Sequence, residues 1–469
     1  MKRFILSLAA ASALSACAAV PHLGPEPQAK PAASYATAQS FQAPQAAWPQ
    51  DGWWRRYGDA QLDTLVDEAL RNAPSLVQAE ARVRRAQALA EQSRAALLPS
   101  LSLNGTIAKQ RQSENLGIPP EFVPKGYQPY GRGTANLNWD LDLFGRNRAA
   151  LAAATSEAEA AQMDAAESRL LLTTNIVSAY ADLARLFGER DAQARSLANR
   201  QATAQLVAER VLAGSSNEGE ARQAQANAAA AAEQLAAIDE DIGIARNRLA
   251  ALAGEGPDRG LALSAPAASI GTGFALPANL ALDLVGRRPD VQAARLRAEA
   301  AARRIKVARA GFYPDVNIAA FVGREALGLD LLKSPTSNIG SVGAALSLPI
   351  FTGGRLEGEY RGARADYDAA VAAYDQTLVQ ALQEVADAAV SARQLEGRLT
   401  QAQAALTAAQ DAYRIAEMRY KAGLTNYLSV LTAEDTLITE RRTVADLTAR
   451  TLTVDAALAR ALGGGFKTT

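Results

Sequence analysis

Apolar positions spaced three and four apart dominate the chain. From Val385 they run through Ala388, Ala392, Leu395, Leu399, Ala402, Leu406, Ala409, Tyr413 and Ala416 to Tyr420. This is an a/d heptad seam, which winds helices left-handed around neighbours. Upstream the rhythm passes through Leu356, Tyr360, Ala363, Tyr367, Ala370 and Tyr374. One extra four-residue step, Tyr374 to Leu378, joins the two runs and predicts a stutter that unwinds the supercoil locally. Arg355 to Ala422 contains no proline, so the spacing predicts one helix about 100 Å long. A compact globule has no use for such a helix. The alanine-rich seam predicts partner helices lying close together.

The same text occurs twice. Pro74 to Pro99 and Pro289 to Pro314 enclose matching alanine- and arginine-rich periods, closing on Ala96-Leu97-Leu98-Pro99 and Gly311-Phe312-Tyr313-Pro314. Asp142-Leu-Phe-Gly-Arg146 then corresponds to Ile350-Phe-Thr-Gly-Gly-Arg355, and Arg210-Val-Leu-Ala-Gly214 to Arg419-Tyr-Lys-Ala-Gly423. Each copy reads helix, strand pair, very long helix, tip, return helix, and neither copy has to bury a core alone. Gly214 and Gly423 are placed to end the long helices. The return helices are expected over 218–253 and 427–462. Between the copies, 254–289 lacks a long period and is expected, with 51–72, to form a girdle across the outside of the bundle.

Period two appears after each helix-ending proline. Leu101, Leu103 and Ile107 alternate with Ser102, Asn104 and Thr106; Ala135, Leu137, Trp139, Leu141 and Leu143 alternate with Asn136, Asn138, Asp140 and Asp142. In the second copy Val316, Ile318, Ala320 and Val322 share one face, as do Val342, Ala344, Leu346 and Leu348. Such strands suit an outer-membrane barrel, apolar to lipid and polar to a wet lumen, and equally a half-buried soluble sheet. Four strands cannot close a barrel, since the smallest have about eight. An open edge in lipid leaves unpaired backbone groups. Strands that span a membrane therefore require a barrel shared among identical chains.

Composition narrows the function. The 469 residues carry 49 basic and 49 acidic side chains. This balance argues against a nucleic-acid surface. No run reaches the roughly 18 apolar residues of a transmembrane helix. His22, the single histidine, lies in a proline-rich stretch that reads as an extended tether, so neither a metal site nor a nucleophile–histidine pair is expected. Glu384 and Asp387, at helical spacing, read as a solvated face rather than an acid/base pair. No enzyme and no cofactor are expected.

Met1-Lys2-Arg3 followed by the apolar Phe4 to Ala16 reads as a signal peptide. It ends Leu14-Ser15-Ala16-Cys17, which resembles the bacterial lipobox, with Cys17 as the lipidated residue. The other reading is an ordinary secretory cut with Cys17 incidental. An unpaired thiol is a liability in an oxidising compartment, which favours lipidation. Ala18, in place of the aspartate that retains many lipoproteins in the inner membrane, favours the outer membrane.

Taken together these residues resemble the outer-membrane factor family, the TolC-like channel tunnels, and its OprM/NodT-type lipoprotein branch. The resemblance covers nearly the whole chain beyond the signal peptide. It rests on Trp53-Trp54-Arg55-Arg56-Tyr57-Gly58-Asp59, Arg287-Arg288-Pro289-Asp290-Val291, Leu348-Pro349-Ile350-Phe351, Arg419-Tyr420-Lys421-Ala422-Gly423, Asn426-Tyr427-Leu428-Ser429-Val430-Leu431 and Ala461-Leu462-Gly463-Gly464-Gly465-Phe466. It implies a mainly α chain with a small β part. As a homotrimer, the chain would form a 12-stranded β-barrel on a 12-segment α-helical coiled-coil tunnel. The expected divisions are a signal peptide (1–16), a lipidated tether (17–50), the first repeat (51–253), an equatorial linker (254–288), the second repeat (289–462) and a C-terminal tail (463–469). The implied function is a passive outer-membrane duct fed by an inner-membrane pump through a periplasmic adaptor. Drug efflux is the favoured cargo class. Type I protein secretion, heavy-metal export and a non-channel coiled-coil structural lipoprotein are the alternatives.

The resemblance also points to the tips. Tyr420 occupies the place of a tyrosine that ties the closed end in relatives; it equally fits as the last knob of the seam. Thr425 stands where relatives place an arginine. Ser429 and Thr432 stand where relatives place aspartates, and Asp435, one turn on, is the acidic substitute. The expected gate is Tyr420, Tyr427, Leu428, Ser429 and Thr432. The expected adaptor contacts are Gly214, Ser215, Ala422, Gly423 and Leu424.

Overall fold

The computed structural model describes residues 20–115, 117–269 and 275–467; the signal peptide and Cys17 lie outside them. Nine α-helices and four β-strands stand among the described residues. Helices α1 (Ala60–Asn72) and α2 (Pro74–Ala95) lead to strands β1 (Ser100–Gln110) and β2 (Gln128–Asp140). Helix α3 (Arg146–Leu212) turns into α4 (Glu218–Leu252), followed by the short α5 (Asp258–Leu261) and α6 (Leu280–Arg287). The second copy is α7 (Pro289–Ala310), β3 (Asp315–Leu327), β4 (Asn338–Ser347), α8 (Arg355–Lys421) and α9 (Tyr427–Ala461). The duplication is exact in three helix pairs: α3 and α8 have 67 residues each, α4 and α9 have 35, and α2 and α7 have 22. The linker between the copies carries the two short helices α5 and α6.

Two compact units partition the chain. One takes 83–161 and 294–374, and so holds the whole sheet. Its four strands pair antiparallel in the order β1-β2-β3-β4, with β2 and β3 joining the two copies.

The other unit takes 30–82, 162–293 and 375–469. Its core gathers Trp53, Trp54 and Tyr57 from a 3-10 turn, Leu62, Leu65 and Val66 from α1, Ile176, Tyr180 and Leu183 from α3, and Leu452 and Ala456 from α9. Asp59 fixes this junction. One of its oxygens caps α1 by accepting from the Gln61 and Leu62 amides; the other accepts from the Tyr180 hydroxyl at 2.7 Å and the Ala267 amide at 2.8 Å. Burial alone would raise the Asp59 pKa, but these four donors outweigh it and hold the carboxylate below its ordinary value. Arg288, 3% exposed, donates to Asp290, Glu384 and the Ala461 carbonyl. The Arg-Arg-Pro-Asp run thus ties the start of α7 to α8 and to the end of α9.

The seam behaves as its spacing predicts. Val385, Ala388, Leu395, Ala402, Ala409 and Tyr420 are buried, and the alternating Ala392, Leu399, Leu406, Tyr413 and Ala416 are half-buried. Across the stutter, Tyr374 and Leu378 are both buried and the helix is unbroken. The tether is not free. The Lys30 amide donates to Asp375 at 3.0 Å, and Arg393 donates to the Ser40 carbonyl at 3.1 Å, both on α8.

Candidate functional site

The sheet has two chemically distinct faces. Cross-strand register sets Leu101, Leu137, Ala320 and Val342 in one row and Leu103, Ala135, Val322 and Gly340 in the next, all on one side. Because side chains alternate along a strand, the opposite side shows Ser102, Asn136, Phe321 and Ser341, then Asn104, Thr134, Gly323 and Ile339. A soluble sheet would bury the apolar side. Here that side is largely bare: Leu103 is 84% exposed, Val342 79% and Leu101 75%, and Leu329 and Leu332 of the loop after β3 lie over it beside Gly131. The sheet is also open, with β1 and β4 each presenting one edge that no described strand pairs.

The hairpin tips are built alike in both copies. Gly214 adopts φ 70° and Gly423 φ 74°. The Ser215 amide donates to the Arg210 carbonyl and the Gly214 amide to Val211; Leu424 and Gly423 repeat this on Arg419 and Tyr420. These are Schellman closures, which satisfy the last carbonyls of the helix. Asn217 and Asn426 then cap α4 and α9, accepting from the Glu220 and Ser429 amides. Gly214, Ser215, Ala422, Gly423 and Leu424 are all exposed at these turns.

The five expected gate residues divide into two groups. Tyr420 and Tyr427, each 5% exposed, lie inside a cluster with Val207, Ala221, Ala224 and Val430, their rings 5.9 Å apart. Within one chain, Tyr420 is the terminal knob. Leu428, Ser429 and Thr432 lie on the exposed side of α9. The Ser429 hydroxyl is 3.0 Å from both Asn426 Oδ1 and the Thr425 hydroxyl, and Thr432 donates to the Leu428 carbonyl.

Sequence reasoning missed the groups from the first hairpin that hold the second. Arg210 places its guanidinium 4.5 Å from the centre of the Tyr420 ring and donates to the carbonyls of Tyr420 and Lys421, at the negative end of α8. Arg200 donates to Glu434 at 3.1 Å and to Asp435 at 2.7 Å. Asp435 is therefore engaged by its own chain. Burial raises the Glu434 pKa, and Arg200 pulls it back. The only signal for Arg210 was its repeat match to Arg419, which gives no hint that its side chain crosses to the other hairpin.

Among the described residues no helix is long and apolar enough to cross a membrane, and no group of three or more His, Cys, Asp or Glu is placed to hold a metal. The family model described as "Outer membrane efflux protein" matches residues 65–255 and 280–464. The crystal structure of the outer membrane protein VceC from Vibrio cholerae superposes with a TM-score of 0.83 at 42% identity, covering 90% of this chain and 100% of that one. The fusaric acid resistance protein FusA of Burkholderia cepacia is 36% identical over 323 residues, 68% of this chain and 61% of its own length. The multidrug resistance outer membrane protein MdtP of Shigella flexneri is 31% identical over 375 residues, 76% of this chain and 75% of its own.

Proposed function

The chain belongs to the outer membrane efflux protein family, and from that premise we propose that three copies close into a passive efflux duct through the outer membrane. The observation that carries this reading is the open sheet with its apolar side largely bare. Both conditions are relieved at once if β1 of one copy pairs with β4 of the next and the apolar side meets lipid. Twelve strands, four from each copy, then enclose a lumen lined by the polar side. The helical hairpins form a heptad-packed tunnel in the periplasm, which meets an adaptor and an inner-membrane pump that supplies the energy. Cys17 carries the lipid anchor.

The resistance to fusaric acid and to multiple drugs for which FusA and MdtP are named favours small organic toxicants as cargo over secreted proteins. Adaptor contact falls to the exposed turn residues Gly214, Ser215, Ala422, Gly423 and Leu424. At the closed end, the exposed Leu428, Ser429 and Thr432 meet their copies. Tyr420 and Tyr427 hold the two hairpins of one chain together behind them. Native mass spectrometry in detergent tests the assembly, with a trimer expected, and planar-bilayer recording tests the duct. A folded monomer that passes no current overturns the proposal. Within it, Tyr420→Ala raises resting conductance if the tyrosine helps to keep the end closed; an unchanged closed level removes that role.

A further inference from the structure

The polar side of the sheet is almost uncharged along its length. It shows Ser102, Asn104 and Thr106 on β1, and Thr134, Asn136 and Asn138 on β2. Acidic residues appear at its lower end, where Asp140 and Asp315 pair with Arg146. One other charged pair stands on this side. Arg132 of β2 and Glu325 of β3 are register partners, with their charged atoms 3.6 Å apart. They come from different copies of the duplication. Both side chains remain well exposed, at 40% and 37%. The Arg132 guanidinium also lies 5.5 Å from the centre of the Phe321 ring, the one aromatic ring near the middle of this side. Arg324, next along β3, faces the other way and donates to Asn338 at the start of β4 and to the Leu332 and Lys333 carbonyls of the loop between them.

We infer that Arg132, Glu325 and Phe321 form the contact point for cargo on the lumen wall, and that the pair keeps this level blind to the sign of the cargo's charge. The inference rests on the barrel reading above. If three copies close the barrel, three such groups ring the lumen at one height. An isolated Arg or Glu, repeated three times, would make a charged ring that selects ions of one sign. Register pairing cancels each charge against its neighbour. Phe321 then offers an apolar surface to amphipathic aromatic molecules, and neither anions nor cations are repelled there.

The test is the reversal potential of the wild-type channel and its variants in a planar bilayer under a potassium chloride gradient. Glu325→Gln leaves Arg132 unbalanced and shifts the potential toward chloride selectivity. Arg132→Gln shifts it toward potassium. The double variant returns to the wild-type value. Each single shift corresponds to a permeability-ratio change of about threefold, since salt screens part of the ring's field. Ser341→Asp, on the same side beside Phe321, keeps the pair intact and shifts the potential toward potassium. It provides the readout if either single variant fails to assemble. A conducting wild type whose single variants keep its potential, whatever Ser341→Asp does, overturns this inference alone. A wild type that passes no current overturns the barrel reading and this inference with it.

Discussion

Three consecutive glycines, Gly463, Gly464 and Gly465, take φ of 84°, 58° and 89° just after α9. Each is also pressed against another part of its unit. A Cβ on Gly463 would overlap the Arg287 carbonyl oxygen, one on Gly464 the Leu170 side chain, and one on Gly465 the backbone at Gln50. Gly423 has a similar φ with nothing within 4 Å of its missing Cβ. Gly463→Ala should therefore cost about 3 kcal/mol or more, and Gly423→Ala about 1 kcal/mol. Equal losses in denaturant midpoint would show that backbone conformation, and not close approach, sets the cost. Nearby, Glu167 is pushed up to about 7 by burial and then by Asp290, with Arg288 and Arg460 opposing. A carboxyl whose folded pKa is raised binds its proton more tightly in the folded state. Its contribution is present in full below its ordinary value of 4.5 and is lost as pH rises through about 7. Wild-type thermal stability should fall across that window, and Glu167→Gln should flatten the fall. An identical fall in the variant would rule Glu167 out as its source. The glycine triplet was visible in the sequence as text. Its meaning was not, because it depends on three partners far apart in the chain.

At the scale of the element, periodicity carried most of the fold. The two long helices, their equal lengths and their glycine closures follow from spacing alone, because each property is local. The seam was legible for the same reason. The short helices α5 and α6 were not, since α5 spans 4 residues and α6 8, too few to show a period. The split of the gate residues was also hidden. Tyr420 and Tyr427 are buried by the first hairpin, and nothing near them in sequence says so. Arg210 makes this dependence measurable. It caps the carbonyl end of α8 and lies beside Tyr420, a contribution of about 1 kcal/mol. Arg210→Ala should raise amide hydrogen exchange in the last turn of α8 by about fivefold. The last turn of α3, Arg210's own helix, should change less. Equal change in both tips would mean that Arg210 matters only to its own helix.

At the scale of the whole molecule, the decisive question is what meets the apolar side of the sheet. The sequence could not decide between lipid and a soluble core, since both produce period two. The register answers part of it by collecting Leu101, Leu137, Ala320 and Val342 in one row, whose outer members Leu101 and Val342 are exposed while Leu137 and Ala320 are half-buried between the strands. Ala319 and Ala320 offer a matched test. They are adjacent, identical in chemistry and near the middle of β3, yet Ala320 shares the apolar side with Leu137 and Val342 while Ala319 shares the polar side with Asn138 and Gly343. If lipid covers the apolar side, Ala320→Arg places a charge near the centre of the bilayer at a cost of about 2–4 kcal/mol. Ala319→Arg places the same charge in a wet lumen at little cost. The predicted result is loss of heat-modifiable trimer on gels for Ala320→Arg and its retention for Ala319→Arg. Equal tolerance of the two would mean that water reaches both sides. In that case the open edges of β1 and β4 would need no partner, and the shared barrel would lose its physical reason.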